Sequence, residues 1–186
     1  MARIIKEYFA YNDYLIFEGE YKNGRRNGKG KEYNKFLDGK LIYEGEYVNG
    51  KRNGKGKEYD KNGIILFEGE YLEGEIWKGK RKIYNNDILI FEGEYLDGEK
   101  NGKGKEYDNR DNKGELIFEG EYLDGEKWKG KGKEYHLDLV YEGEYFNGVK
   151  WNGKGYDDEG NIIYEIINGN FKVIEYGKNN YINFEG

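Results

Sequence analysis

Three stretches of the chain have the spacing of a phosphate-binding loop. Gly74 to Lys80, Gly125 to Lys131 and Gly148 to Lys154 each read Gly-x4-Gly-Lys. A phosphate loop needs Ser or Thr next, and a helix whose amides cradle the anion. The next residues are Arg81, Gly132 and Gly155, and the pattern that follows reads as strand. Nucleotide binding is therefore not expected. Paired carboxylates such as Glu92 and Glu94 could do acid–base work. The pair recurs six times opposite lysines, which fits a solvated charge ladder better. His136 is the only histidine, and with no cysteine a zinc site would rest on carboxylates. Asp108 to Glu115 has a faint calcium-loop look, but Arg110 and Lys113 interrupt the ligand spacing. Asp157-Asp158-Glu159-Gly160 reads as a turn. The chain has no Cys, Ser, Thr or Gln, so thiol and hydroxyl nucleophiles of those types are excluded. No catalytic residue, metal or cofactor is expected, and the chain reads as non-enzymatic.

The elements that would position such residues come from a repeat. The pentapeptide [FY]-E-G-E-Y starts at 17, 43, 67, 91, 118 and 141. Each copy is followed by a Gly-rich bend (NGRRNG, NGKRNG, EGEIWKG, DGEKNG, DGEKWKG, NGVKWNG) and then by G-K-x-K-x-Y or a variant. Phe17, Gly19 and Tyr21 alternate with Glu18 and Glu20, the period of a strand. Gly28 and Gly30 alternate with Lys29 and Lys31 in the same way. The bend makes the two a hairpin. A register follows from the charges: Tyr21 opposite Gly28, Glu20 opposite Lys29, Gly19 opposite Gly30, Glu18 opposite Lys31. In the units whose bend is one residue longer, Tyr71 would face Gly79 and Glu70 would face Lys80. One face becomes a Glu/Lys ladder, and the other sets aromatic rings above bare glycines. Helix is disfavoured, because each interior Gly costs about 1 kcal/mol relative to Ala.

Composition agrees with a thin fold. Charged residues make up 37% of 186 and mean hydropathy is −1.09, values that alone would suggest disorder. The 20 Tyr, 9 Phe and 3 Trp argue for a small aromatic core instead. Residues 1–57 hold 13 Lys/Arg against 8 Asp/Glu, and the remainder 18 against 29, so one end is basic and the rest acidic. No run approaches a membrane span and no apolar leader is evident, so a soluble, cytoplasmic chain is expected.

The phrase [FY]-E-G-E-Y-x-x-G followed by x-x-N-G-K-G closely resembles the MORN (membrane occupation and recognition nexus) repeat. The resemblance covers residues 15–156 as six units. It departs where Phe replaces the first aromatic, where Tyr stands for the family's common Trp, and at Gly79-Lys80-Arg81. The family implies an all-β fold, an elongated, twisted single-layer antiparallel sheet of consecutive β-hairpins. Residues 1–14 would be an N-terminal cap strand and 157–186 a degenerate C-terminal cap with a hairpin around Asn168-Gly169. The ending Asn183 to Gly186 resembles the start of another unit.

The resemblance also implies a scaffold of cytoskeletal or membrane-associated assemblies, binding a protein segment or a second copy along an aromatic groove. The groove candidates are Phe17, Tyr21, Tyr43, Tyr47, Phe67, Tyr71, Phe91, Tyr95, Phe118, Tyr122, Tyr141 and Tyr145. A single-layer sheet should leave such rings partly exposed, as a partner surface. Trp77, Trp128 and Trp151, placed in the longer bends, are further contact candidates. Peripheral phospholipid binding and, after it, glycan binding are the alternatives; no nucleic-acid partner is expected.

Overall fold

The computed structural model describes residues 3–11, 13–110, 113–176 and 181–185. Met1, Ala2 and Asn12 of the expected N-terminal cap lie outside the described residues. So do Asp111 and Asn112 of the calcium-like loop, and 177–180 and Gly186 of the C-terminal stretch. Among the described residues every regular element is a strand, and the strands pair antiparallel in chain order in one open sheet. They are β1 (Arg3–Phe9), β2 (Tyr14–Lys22), β3 (Arg25–Asn34), β4 (Lys40–Val48), β5 (Lys51–Tyr59), β6 (Ile65–Leu72), β7 (Glu75–Asn85) and β8 (Ile88–Leu96). The order continues with β9 (Glu99–Asp108), β10 (Glu115–Leu123), β11 (Glu126–His136), β12 (Leu139–Phe146), β13 (Val149–Tyr156), β14 (Ile162–Ile167), β15 (Asn170–Tyr176) and β16 (Tyr181–Glu185). The chain divides into two compact units, residues 1–83 with 92–99, and residues 84–91 with 100–186.

The hairpin bends are two residues long, not six or seven. Asn23-Gly24, Asn49-Gly50, Glu73-Gly74, Asp97-Gly98, Asp124-Gly125, Asn147-Gly148 and Asn168-Gly169 all have positive φ at both positions. That is the turn whose twist matches paired strands, and its first position sits at +49° to +54° in every copy.

The rest of each expected bend belongs to the second strand, and there the register differs from the one the charges suggested. In the first hairpin Gly19 does face Gly30 and Glu18 faces Lys31, but Tyr21 then faces Arg26, not Gly28. Asn27, Gly28 and Lys29 bulge opposite Glu20, and Gly28 takes φ +108° to allow it. The second hairpin repeats this, with Gly45 facing Gly56 and Tyr47 facing Arg52. In the first hairpin containing Trp, Tyr71 faces Ile76 and Glu70 faces Lys78, so the expected Gly79 and Lys80 partners are three and two residues off. The lone unpaired residue there is Trp77. Trp128 and Trp151 occupy the same place between Tyr122/Lys127 and Glu121/Lys129, and between Tyr145/Lys150 and Glu144/Asn152. The three tryptophans are thus bulge residues within β7, β11 and β13, not protrusions of a bend.

The two bulges set different steps to the next hairpin. After the Asn-Gly bulge Gly30 faces Gly19 on one side and Gly45 on the other, so the glycine column runs straight. After Trp128, Gly130 faces Gly120 but Gly132 faces Gly143, a step of two residues. β14 and β15 form a hairpin without strand glycines, where Ile166 faces Phe171 and Glu165 faces Lys172.

Candidate interaction surfaces

The aromatic face is a closed core, and this corrects the expected groove. Each first ring of the pentapeptide lies on glycines of its own hairpin. A Cβ at Gly19 or Gly30 would meet the Phe17 ring at 2.7 or 2.5 Å, and one at Gly45 or Gly56 would meet Tyr43 at 2.3 or 2.4 Å. Phe67 covers Gly69 and Gly79 in the same way, Phe118 covers Gly120 and Gly130, and Tyr141 covers Gly143 and Gly153. The second ring fills the space between neighbours. In the first unit Tyr21, Phe17, Tyr47, Tyr43, Tyr71 and Phe67 alternate edge to face, at centroid distances of 5.2 to 5.8 Å. In the second, Phe91, Tyr122, Phe118, Tyr145 and Tyr141 do the same. Edge-to-face pairs add roughly 0.5–1.5 kcal/mol each beyond the area they bury. Tyr21 is half-buried, and the other eleven candidate rings are 0% to 7% exposed.

What covers the outer side of the rings is a row of cations that the sequence reading missed. Arg26 lies over Phe17 at 3.9 Å and Arg52 over Tyr43 at 4.0 Å. In the second unit Lys100 lies over Phe91, Lys127 over Phe118 and Lys150 over Tyr141. Each stands two residues after the turn glycine; Ile76 takes this place in the third hairpin and packs on the same core. Glutamates from the K-E-Y segments hold the cations. Glu7 accepts two hydrogen bonds from Arg26, and Glu32 accepts from Arg52 at 2.8 Å and faces Arg26 at 3.6 Å. Arg52 also donates to Glu58 at 2.6 Å. Glu106 pairs with both Lys100 and Lys127, and Glu134 pairs with Lys150. Tyr47 donates to Glu32 at 2.6 Å, and Tyr145 donates to Glu134. Burial pushes the Glu32 carboxyl up, but the bonds from Arg52 and Tyr47 outweigh it and leave it below the usual range. Glu106 and Glu134 are lowered in the same balance, by their lysines and, for Glu134, by Tyr145. The recurrence of a cation two residues after five of the seven turns was visible in the sequence, but it reads there as solvated surface.

The opposite face is open. In the first unit a trough of about 920 Å3 runs over β2 to β6, with Ile4 of β1 at its end. Its floor is the column Gly19, Gly30, Gly45, Gly56 and Gly69. One wall is Glu18, Lys31, Glu44, Lys57 and Glu68, and the other is Glu20, Lys29, Glu46, Lys55 and Glu70. Charge therefore alternates at every strand on both walls. The close ion pairs run largely between hairpins, Lys31 to Glu44 at 3.7 Å and Lys57 to Glu68 at 2.9 Å. Glu46 also turns back to accept the Lys55 amide at 3.1 Å, holding the bulge. By strand alternation Val48, Leu72 and Leu96 extend this face past its second wall, and all three are at least 40% exposed. The lining ends on β6, before the first Trp bulge.

The other candidates resolve as structure. Gly74 to Lys80 is a turn entering a strand, with no helix to hold a phosphate. Asp157 accepts the amides of Glu159 and Asn161, as Asp60 accepts those of Asn62 and Ile64, so these carboxylates close loops. Asp108 is engaged by Arg110. His136 is exposed at the end of β11, and no cluster of three or more metal-ligating side chains occurs among the described residues. Trp77 and Trp128 are 36% and 38% exposed, with Lys78 over the Trp77 ring at 4.5 Å and Phe146 5.3 Å from Trp151.

A family model described as MORN repeat matches residues 17–34, 43–65 and 91–112. The first two are hairpins with the Asn-Gly bulge, and the third has Asn101-Gly102 at the same place in its repeat, with Gly102 at φ +95°. No curated protein matches the chain. The repeat matches and the sheet of paired hairpins agree, and the chain carries MORN repeats at these three places.

Proposed function

We propose that the chain is a non-enzymatic interaction scaffold that seats a protein segment across the charged trough of its first unit. The observation that carries this is the trough itself: an open floor of glycine between two walls of alternating Glu and Lys, with exposed apolar residues beside it. Such a surface has little net charge but a fixed charge pattern, so it selects by pattern and not by bulk attraction. The aromatic rings support the sheet beneath it and are not themselves the contact. Affinity capture from the source cell, with the chain and with a Lys29→Glu/Lys55→Glu variant, tests the reading. A partner held by the native chain and lost by the variant is the expected result. Equal capture by both, with the variant folded, would refute the trough as the binding face. Co-sedimentation with anionic vesicles provides the contrasting measurement, and salt-sensitive pelleting would move the reading to a membrane surface.

A further inference from the structure

The lysines of the trough are Lys29, Lys31, Lys55 and Lys57, and the two walls treat them differently. On the first wall Lys31 and Lys57 are neutralised by Glu44 and Glu68 of the next strand. On the second wall Lys29 and Lys55 are exposed, and neither is ion-paired among the described residues.

The bulges cause this difference. Lys29 faces Glu46 and Lys55 faces Glu70 across the strands, partners that would neutralise them. Glu46 instead turns back over Gly54, whose missing side chain leaves room for the carboxyl, and accepts the Lys55 amide. Glu20 lies over Gly28 in the same way. Glu70 is taken at 3.4 Å by Lys78, which the Trp77 bulge sets opposite it. One wall is therefore left with two ammonium groups and no counter-charge. They stand two strands apart, about 9.6 Å at the usual strand spacing of about 4.8 Å. Val48 of β4, the strand between them, is 44% exposed on the same side. Toward the turn Lys22 and Arg25 face one another on this side too, and are likewise unpaired among the described residues.

We propose, on the reading of the trough as a protein-binding face, that its occupant is an acidic segment in the polyproline II conformation with a carboxylate at every third residue. That conformation advances about 9.3 Å in three residues, so carboxylates three apart share one face at the spacing of Lys29 and Lys55. An extended strand covers about 10 Å in three residues but turns the second carboxylate to the opposite side. An α-helix advances about 6 Å in four residues and about 10.5 Å in seven, short of the spacing and beyond it. An apolar side chain between the carboxylates meets Val48.

Fluorescence anisotropy of the whole chain with a labelled peptide of four Glu-Leu-Pro triplets tests this, against the same peptide with Lys for Glu. The chain has net charge −6, so bulk attraction would favour the Lys peptide. The Glu peptide should bind and the Lys peptide should not. Lys29→Gln/Lys55→Gln should weaken the Glu peptide more than about tenfold. Lys129→Gln/Lys131→Gln, the same change of net charge placed on β11, should alter it less than about twofold. Circular dichroism checks that each variant folds. A chain that binds the Lys peptide as well as the Glu peptide overturns the proposal, as does Glu-peptide binding untouched by Lys29→Gln/Lys55→Gln. Displacement of the Glu peptide by anionic vesicles would assign the cations to a lipid surface and overturn it too. If the Glu peptide fails while Lys29→Glu/Lys55→Glu still abolishes capture of a cellular partner, the acidic occupant is wrong and the trough stands. If capture survives that variant as well, the trough falls with it.

Discussion

Gly56→Ala isolates the contact on which the aromatic core rests. In an ordinary strand the change is favourable by about 0.5–1 kcal/mol, because glycine loses more freedom on folding. Here the new methyl would meet Tyr43 at 2.4, 2.7 and 2.8 Å, all atoms of one side chain. Relieving that overlap needs a ring shift of roughly 1 Å. Tyr43 has nowhere to go: it is 0% exposed, edge-on to Tyr47 and Tyr71, and lies under Arg52 at 4.0 Å. Overpacking of this kind costs about 1–3 kcal/mol, so the net loss should be about 1–2 kcal/mol. Thermal unfolding should then fall by about 3–6 °C for a chain of this size. Tyr43→Val alone should cost more, about 3 kcal/mol or above, by emptying the site. In that background Gly56→Ala should become neutral or favourable, a coupling of about 1–3 kcal/mol. Gly50→Ala is the control. Gly50 has φ +89° and nothing within 4 Å of the added methyl, so its cost is backbone strain and should not depend on Tyr43. If Gly56→Ala behaves like Gly50→Ala and shows no coupling to Tyr43, the ring-on-glycine account is wrong.

Arg52→Met should destabilise by about 2–3 kcal/mol in urea unfolding, because it leaves Glu58 half-buried without its cation and Glu32 with Arg26 alone, at 3.6 Å; an unchanged midpoint would remove the ion ladder from the stability argument. Acid should act through the same glutamates. Glu32, Glu106 and Glu134 hold their protons less tightly folded than unfolded, so their contribution is complete above the ordinary Glu value near 4.3. It is lost as pH falls through their lower folded values, which urea midpoints taken from pH 7 to pH 3 will follow; stability flat or rising below pH 4 would contradict it. Trp128→Ala should cost no more than about 1 kcal/mol and leave the circular dichroism spectrum unchanged, since the bulge residue is partly exposed; unfolding of the variant would make Trp128 a core residue.

The fold was legible because the repeat fixes the strand period and the turn residues. Glycine beside aromatic at every unit left few other arrangements, and the hairpins, their alternation and the glycine-supported rings follow from it. The bulges were not legible. Asn27-Gly28 has the same composition as the turn Asn23-Gly24, so the two read as one long bend, and only the positive φ at both Asn23 and Gly24 separates them. Exposure of the rings was misjudged for a different reason. An Arg or Lys two residues from a turn looks like solvated surface, yet Arg26 and Arg52 lay their planar heads on Phe17 and Tyr43 and close the layer. With that lid in place a single sheet buries its aromatic face, and the candidate surface passes to the other side.

The same facts decide what sets the register. Exposed Glu–Lys pairs contribute about 0–1 kcal/mol, whereas a buried ring contributes about 1.5–3 kcal/mol. The pairing of glycine with glycine beneath a ring is kept in hairpins of both kinds, at Gly19/Gly30, Gly45/Gly56, Gly69/Gly79, Gly120/Gly130 and Gly143/Gly153. The charges adapt around it: Lys31 turns to Glu44 of the next hairpin, Lys78 pairs with Glu70 of its own, and Asn152 donates to Glu144 where no lysine stands. The ladder therefore follows the rings. A Trp bulge can shift the next hairpin by two residues without losing either pattern, and what changes is whether the glycine floor continues. Consecutive Asn-Gly bulges keep the floor straight under the first unit's trough, and the first Trp-bulged strand follows where its lining ends. The choice between Asn-Gly and Trp at one position is thus a choice of how long a glycine-floored face the repeats make.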